Sequence, residues 1–220
     1  MVSQSRSYER HKPTGLEVAQ NISEILTEID SHVWFTEIEK PNQTHEEYTT
    51  YDISCNEDFA LHAKYYDWKL IFGFFRDHRK AMATFATKYV NKTLLDFDPN
   101  GKVRIRFSLM PENIREIVEP NTSTIIERLD VVKLFQAAGY DVHLNFSPVI
   151  VYDKWIDDYK KLFTQVRNIA IRDDWHEANA LYPDRPVKAE VIFLTHNHTK
   201  HNYNTIKELP GEDLLWTPRS

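Results

Sequence analysis

Five short runs of β-type residues alternate along this chain with segments of helical periodicity. Alternating strands and helices with short connections favour a parallel sheet, and right-handed crossovers curl such a sheet toward a barrel. The pattern therefore predicts an α/β fold, a partial (βα) TIM-like barrel of about five parallel strands with outer helices, in a single domain over residues 1–220. The expected strands are residues 48–53, 83–90, 103–109, 142–151 and 189–195.

Small, charged or nucleophilic residues stand where these expected strands end. They are Cys55, Lys88, Ser108, Ser147 and His196. In (βα) barrels the reactive side chains lie at the carboxyl ends of the parallel strands. The pattern therefore predicts one site at that edge of the sheet, and Asn56, Asp58 and His196 are candidates for the rim that faces the substrate.

The expected helices share an amphipathic spacing of apolar residues. Gly139 follows the third of them, at a position that commonly ends a helix. These helices cover residues 16–29, 59–75, 124–138 and 155–171, and a short helical turn is expected at 91–96.

Composition excludes several classes of protein. The only cysteine is Cys55, so this chain alone can form no internal disulfide framework and can hold no cysteine-ligated metal cluster. No apolar run of about 18 residues predicts a membrane span. The polar N-terminal stretch lacks the apolar core of a secretory signal, so a cytoplasmic protein is expected. A net charge of −6 provides no basic footprint for non-specific nucleic-acid binding.

Several motifs occur in an order that resembles the spore photoproduct lyase family. The resemblance extends over about residues 16–201 and is strongest over 83–163. It is carried by FATK at 85–88, KVRIRFS at 102–108, EPNTS at 119–123, IER at 126–128, AAGY at 137–140 and SP at 147–148, followed by Trp155 and Tyr159.

The resemblance implies a radical S-adenosylmethionine enzyme on a partial (βα) barrel. In that family a [4Fe-4S] cluster on a C-x-x-x-C-x-x-C loop binds S-adenosylmethionine and donates the electron that cleaves it. The radical released by this cleavage abstracts hydrogen from a thymine-dimer lesion in DNA. By resemblance, Lys88 pairs with the cofactor carboxylate, Ser108 lies near its sugar, and Ser147 lies at the strand end that contacts the adenine. Cys55 matches the cysteine that returns a hydrogen atom to the product radical.

Each of these residues also has a purely structural interpretation. A lone cysteine at a strand end is commonly a small buried apolar residue. Lys88 can be an exposed strand terminus, and the Ser108 hydroxyl can satisfy backbone groups of a turn.

The chain also departs from the family pattern. The resemblance places the cluster loop immediately before Met1, so the expectation is a truncated barrel that is inactive until a cluster-bearing N-terminal segment or a companion chain supplies the [4Fe-4S] cluster. Glu57 stands where the family usually has a small hydroxyl residue. DNA is a partner implied by the resemblance, although the net charge of −6 supports it only weakly.

Two other functions follow from the same sequence. His196, His198 and His201 have a spacing similar to the zinc loop of metallo-β-lactamase-type hydrolases, which makes a zinc-dependent hydrolase an alternative. Lys200 stands where that class has an acidic ligand. A non-catalytic barrel fragment that acts as an interaction partner is the third interpretation.

Overall fold

A computed structural model describes residues 22–35, 45, 47–54 and 57–193 of the protein. Its strands form one five-stranded sheet in the order β1-β2-β3-β4-β5, and every neighbouring pair is parallel. The sheet curls into a half-barrel with helices on its outside, so the predicted fold class is confirmed. The strands are β1 (Thr49–Asp52), β2 (Ala81–Thr87), β3 (Val103–Ser108), β4 (Asp141–Val149) and β5 (Lys188–Phe193).

Eight α-helices lie within the described residues. They are α1 (Ile22–Phe35), α2 (Phe59–His62), α3 (Trp68–Asp77), α4 (Glu112–Val118), α5 (Ile125–Asp130), α6 (Val132–Ala137), α7 (Trp155–Arg172) and α8 (Trp175–Leu181). Two 3₁₀ turns cover Ala63–Tyr65 and Lys92–Asp96. None of the described helices has both the length and the apolar character that a membrane span requires.

Two of the helices expected as continuous are interrupted. Residues 59–75 form α2, a 3₁₀ turn and then α3, because the side chain of Asp67 accepts a hydrogen bond from Leu70 N and starts a new helix there. Residues 124–138 divide at Val131 into α5 and α6. The prediction for Gly139 is confirmed, since it follows the last turn of α6 with φ +100°.

Helices α4 and α8 are not predicted by the sequence pattern. Each has only seven residues, too few to show a helical period. Short helices of this kind are stabilised by packing rather than by their own propensity.

The main core lies between the sheet and the helices. Phe72 of α3 and Phe85 of β2 are fully buried, with ring centroids 6.1 Å apart, and Phe107 of β3 packs edge-on against Phe135 of α6. Burying several such aromatic side chains contributes about 1.5–3 kcal/mol each. Side chains alternate between the two faces of a strand, so this packing assigns the intervening residues to the concave face of the half-barrel.

The concave face is polar. It carries alternate residues of the three central strands and of β5, and many of them are buried. Its polar residues are Thr84, Arg104, Arg106, Ser108, Asp141, His143, Asn145, Ser147 and Glu190, and Met82 and Ala86 of β2 share this face.

Candidate active site at the carboxyl ends of the strands

The predicted cofactor-binding residues lie at one edge of the sheet. Lys88 directly follows the last residue of β2, and Ser108 is the last residue of β3. Ser108 is in register with Asn145 of β4, and Ser147 lies two residues further along that strand. All four residues are buried. The fold therefore brings Lys88, Ser108 and Ser147 to the same end of three adjacent strands.

Lys88 is held by two carboxylates. Its ammonium Nζ lies 2.9 Å from Oε1 of Glu119, and both side chains are nearly inaccessible to solvent. Its backbone N–H donates to Oδ2 of Asp58 at 2.7 Å. Lys88 is therefore not an exposed strand terminus, because its ammonium is buried and paired with Glu119.

Asp58, expected on the rim of the site, is buried and begins α2. Its Oδ1 accepts hydrogen bonds from Thr87 Oγ1 at 2.8 Å and from Leu61 N at 3.1 Å. One carboxylate thus caps a helix and fastens the end of β2. Its position beside Lys88 is established, and its role on the rim stays a prediction.

Arg128 of α5 is a residue to which the sequence analysis assigned no role. Its guanidinium is fully buried and donates to the backbone oxygen of Ser108 at 2.6 Å. It also lies 3.4 Å from Oε2 of Glu119. The signal was present in the motifs at 119–123 and 126–128, but spacing alone does not show that their charges meet.

The end of β4 is held from α7. The hydroxyl of Tyr159 accepts from Ile150 N at 3.3 Å and donates to the Pro148 oxygen at 3.4 Å. Burial raises the pKa of Tyr159 to about 12, so this hydroxyl keeps its proton. The Ser147-Pro148 peptide is cis. Trp155 lies on the same helix with its ring edge-on to Tyr159, so the two aromatic landmarks form part of one support.

A row of charged groups crosses the concave face below the site. Arg104 Nε lies 2.6 Å from Asp141 Oδ2, and His143 Nδ1 lies 2.9 Å from Glu190 Oε1. His143 Nε2 is 3.3 Å from Asp141 Oδ1. Burial alone would lower the pKa of His143, but the Asp141 and Glu190 carboxylates outweigh it and raise the pKa above its usual value. The two carboxylates therefore stabilise the charged form of the imidazole more than burial destabilises it.

Glu57 is engaged by neighbours in the structure. Its Oε2 accepts a hydrogen bond from the Tyr66 hydroxyl at 2.9 Å and lies 3.4 Å from His62 Nδ1. Burial and this carboxylate raise the pKa of Tyr66, so the phenol stays a donor. The negative charge at position 57 thus has its own polar partners.

The remaining predicted site residues are Cys55, Asn56, His196, His198 and His201, which lie outside the described residues. Within the described ranges, no group of three or more His, Cys, Asp or Glu side chains is arranged to hold a metal ion. The roles assigned to Cys55, Asn56 and His196, and the zinc alternative, stay predictions.

Known proteins of one name resemble this chain in sequence and in fold. A family model described as spore photoproduct lyase matches residues 11–214. The chain is 25% identical over 159 residues to the spore photoproduct lyase of Bacillus subtilis (strain 168), which covers 71% of this chain and 44% of that protein. It is 35% identical over 83 residues to the protein of the same name from Geobacillus sp. (strain Y412MC61). This match covers 37% of this chain and 24% of that protein.

Solved structures show the same architecture. A double mutant of spore photoproduct lyase with bound AdoMet and dinucleoside spore photoproduct superimposes with a TM-score of 0.68 at 20% identity, over 83% of this chain and 49% of that one. A second spore photoproduct lyase structure, complexed with dinucleoside spore photoproduct, gives a TM-score of 0.61 at 24% identity. It covers 68% of this chain and 42% of that one. The matched regions thus cover between 24% and 49% of the length of these proteins.

Proposed function

Because this chain belongs to the spore photoproduct lyase family, we propose that it forms the part of a radical enzyme that binds S-adenosylmethionine through Lys88, Ser108 and Ser147. The observation that carries the proposal is the meeting of these three residues at the carboxyl ends of adjacent strands, where barrel enzymes place their chemistry. The complete reaction, which repairs a thymine lesion in DNA, is proposed by family membership.

The polar groups at this edge suit an amino-acid nucleoside. An ammonium is a donor for a carboxylate, and serine hydroxyls can both donate to and accept from sugar hydroxyls. Oδ1 of Asn145, in register with Ser108, is buried and has no hydrogen-bond partner among the described residues. A buried acceptor left without a partner is costly, and a ligand hydroxyl or amino group would satisfy it.

The residues of this chain do not fit a [4Fe-4S] cluster. Such a cluster needs at least three cysteine ligands, and the 220 residues contain only Cys55. We therefore propose that the cluster is held by a segment outside these residues, either N-terminal to Met1 or on a companion chain. Bound to such a cluster, S-adenosylmethionine would supply the radical that starts the reaction.

Cys55 is proposed to end the reaction by giving the hydrogen atom of its thiol to the product radical. The S–H bond is weak enough to be broken by a carbon radical, which leaves the unpaired electron on sulfur. Asn56, Asp58 and His196 are proposed to line the rim that faces the substrate.

Binding of S-adenosylmethionine to the 220-residue protein, measured by isothermal titration calorimetry, tests the cofactor site directly. We expect saturable binding by the wild type and at least about a tenfold loss in Lys88→Met, the size expected for one charged hydrogen bond. Lys92→Met is the matched control, because Lys92 is exposed on the 3₁₀ turn that follows. Equal affinities for the two variants would contradict the proposal.

The source of the cluster is tested by reading the genomic DNA in frame upstream of the Met1 codon. A C-x-x-x-C-x-x-C sequence there would assign the cluster to the same polypeptide. A stop codon without that motif would direct the search to a companion chain.

A further inference from the structure

We infer that Glu119 and Arg128 are positioning residues that aim the Lys88 ammonium at the carboxylate of S-adenosylmethionine. The inference rests on the proposed function, because it concerns the same cofactor site. Neither residue needs to touch the cofactor, since both act through Lys88 and through the backbone of Ser108.

Glu119 joins two cations that come from different parts of the fold. Its Oε1 lies 2.9 Å from Lys88 Nζ at the end of β2, and its Oε2 lies 3.4 Å from the Arg128 guanidinium on α5. The exposed fraction of the Glu119 side chain is 1%. With so little solvent, the carboxylate cannot exchange these partners for water, so the direction of the Lys88 ammonium is set by the protein.

Arg128 fixes Glu119 and the end of β3 together. Its guanidinium donates to the Ser108 oxygen at 2.6 Å, to the Ser123 oxygen at 2.9 Å and to Thr122 Oγ1 at 2.8 Å. The guanidinium is planar and rigid, so these bonds are made in one geometry only. A shift of Arg128 would therefore move the strand end at Ser108 and the carboxylate that holds Lys88.

The loop that carries Glu119 is also fastened to the strand end it serves. Ser123 N donates to the Lys88 oxygen at 3.0 Å, and Ser123 Oγ accepts from Val90 N at 3.0 Å. Thr122 Oγ1 donates to the Glu119 oxygen at 2.7 Å. Residues 119–123 are thus bound to the end of β2, and Arg128 links them to the end of β3 at Ser108.

Stability alone is a weak reason for such an arrangement. A buried ion pair offsets the cost of dehydrating its charges only in part, and an apolar replacement is often as stable. Holding an ammonium in a defined direction is a better account. An ammonium has three N–H donors, so its bond to Glu119 is compatible with a second carboxylate on the ligand.

Comparing the affinities of two ligands tests whether Glu119 positions Lys88 or only supports the fold. S-adenosylmethionine carries the carboxylate, whereas 5′-methylthioadenosine has the same nucleoside without it. In Glu119→Gln we expect affinity for S-adenosylmethionine to fall about tenfold, the effect of one charged hydrogen bond. Affinity for 5′-methylthioadenosine should change less than about twofold. Equal losses for the two ligands would overturn the inference, because a distorted site would weaken both.

Glu112→Gln is the matched control. Glu112 also fastens this region, with Oε1 2.6 Å from Arg115 Nε and Oε2 accepting from Ile125 N at 2.8 Å. These contacts do not involve Lys88. The control should leave the ratio of the two affinities unchanged, and a change equal to that of Glu119→Gln would count against a specific role for Glu119.

A double variant keeps the test valid if Glu119→Gln alone fails to fold. Lys88→Met with Glu119→Gln removes both charges of the Lys88–Glu119 pair. Arg128 keeps its hydrogen bonds to the oxygens of Ser108 and Ser123 and to Thr122 Oγ1. If Glu119 acts through Lys88, the double variant should bind S-adenosylmethionine as weakly as Lys88→Met alone. A further loss beyond Lys88→Met would overturn the inference. A wild type that binds neither ligand would reject the proposed function itself, which is a different result from equal losses in the variant.

Discussion

Arg104 of β3 and Asp141 of β4 face each other across the concave face, with Nε 2.6 Å from Oδ2 and both side chains buried. Burial alone would raise the pKa of Asp141, but His143 and Arg104 outweigh it and hold the pKa below its usual value. The centre of this half-barrel is therefore charged where a typical core is apolar. The free energy of burying these charges depends on their being paired.

Removing one member of that pair should destabilise the protein strongly. We expect Arg104→Met to lower the free energy of unfolding by about 3–5 kcal/mol, the usual cost of leaving a buried charge without its partner. The loss should be visible in urea denaturation followed by circular dichroism. Arg172→Met is the control, since Arg172 pairs with Asp130 on the surface, and its loss should be much smaller because solvent screens an exposed ion pair. Similar losses in the two variants would contradict the paired-charge account.

His143 should make stability depend on pH. Its pKa is raised in the folded protein, because Asp141 and Glu190 outweigh burial. The stabilisation is therefore fully present below the unfolded value of about 6.5 and is lost as the pH rises through the folded value. In urea titrations, the free energy of unfolding of the wild type should exceed that of His143→Gln most near pH 6. The difference should shrink as the pH rises further. A difference that stays constant from pH 6 to about 9 would show that the charge of His143 is not involved.

Asp58→Ala should lower the free energy of unfolding more than Asp67→Ala does, although both aspartates cap a helix. Asp58 accepts bonds from Leu61 N, Thr87 Oγ1 and Lys88 N, whereas the cap bond of Asp67 comes from Leu70 N. We expect about 1 kcal/mol for Asp67→Ala and about 2–4 kcal/mol for Asp58→Ala, because the latter also leaves buried donors unpaired. Thermal unfolding followed by calorimetry measures both losses. Equal costs would mean that the Asp58 contacts to β2 contribute little.

Replacing Gly139 and Gly73 by alanine should change the free energy of unfolding in opposite directions. Gly139 has φ +100°, and a Cβ there would clash with the carboxylate of Asp98. Gly73 lies within α3 and has no atom near the position of a new Cβ. We expect Gly139→Ala to lower the free energy of unfolding by about 1–3 kcal/mol and Gly73→Ala to raise it by up to about 1 kcal/mol. Urea midpoints that move in the same direction would contradict the backbone argument.

Much of the fold follows from local pattern. All five strands lie within a few residues of the predicted runs, since the alternation of β-type runs and amphipathic segments is a local property of the sequence. The breaks at Asp67 and Val131 escaped prediction because periodicity continues across them. The seven-residue helices α4 and α8 escaped because packing, not pattern, stabilises them.

By itself the sequence determined the parallel α/β architecture, the strand ends that carry Lys88, Ser108 and Ser147, and the single cysteine that excludes a self-held cluster. Only the tertiary structure decided how the charges pair. Lys88 meets Glu119 across 31 residues of chain, and Arg104 meets Asp141 on the neighbouring strand. The physical reason is that secondary structure depends on near neighbours, whereas a buried charge takes the partner that strand register and helix packing place beside it.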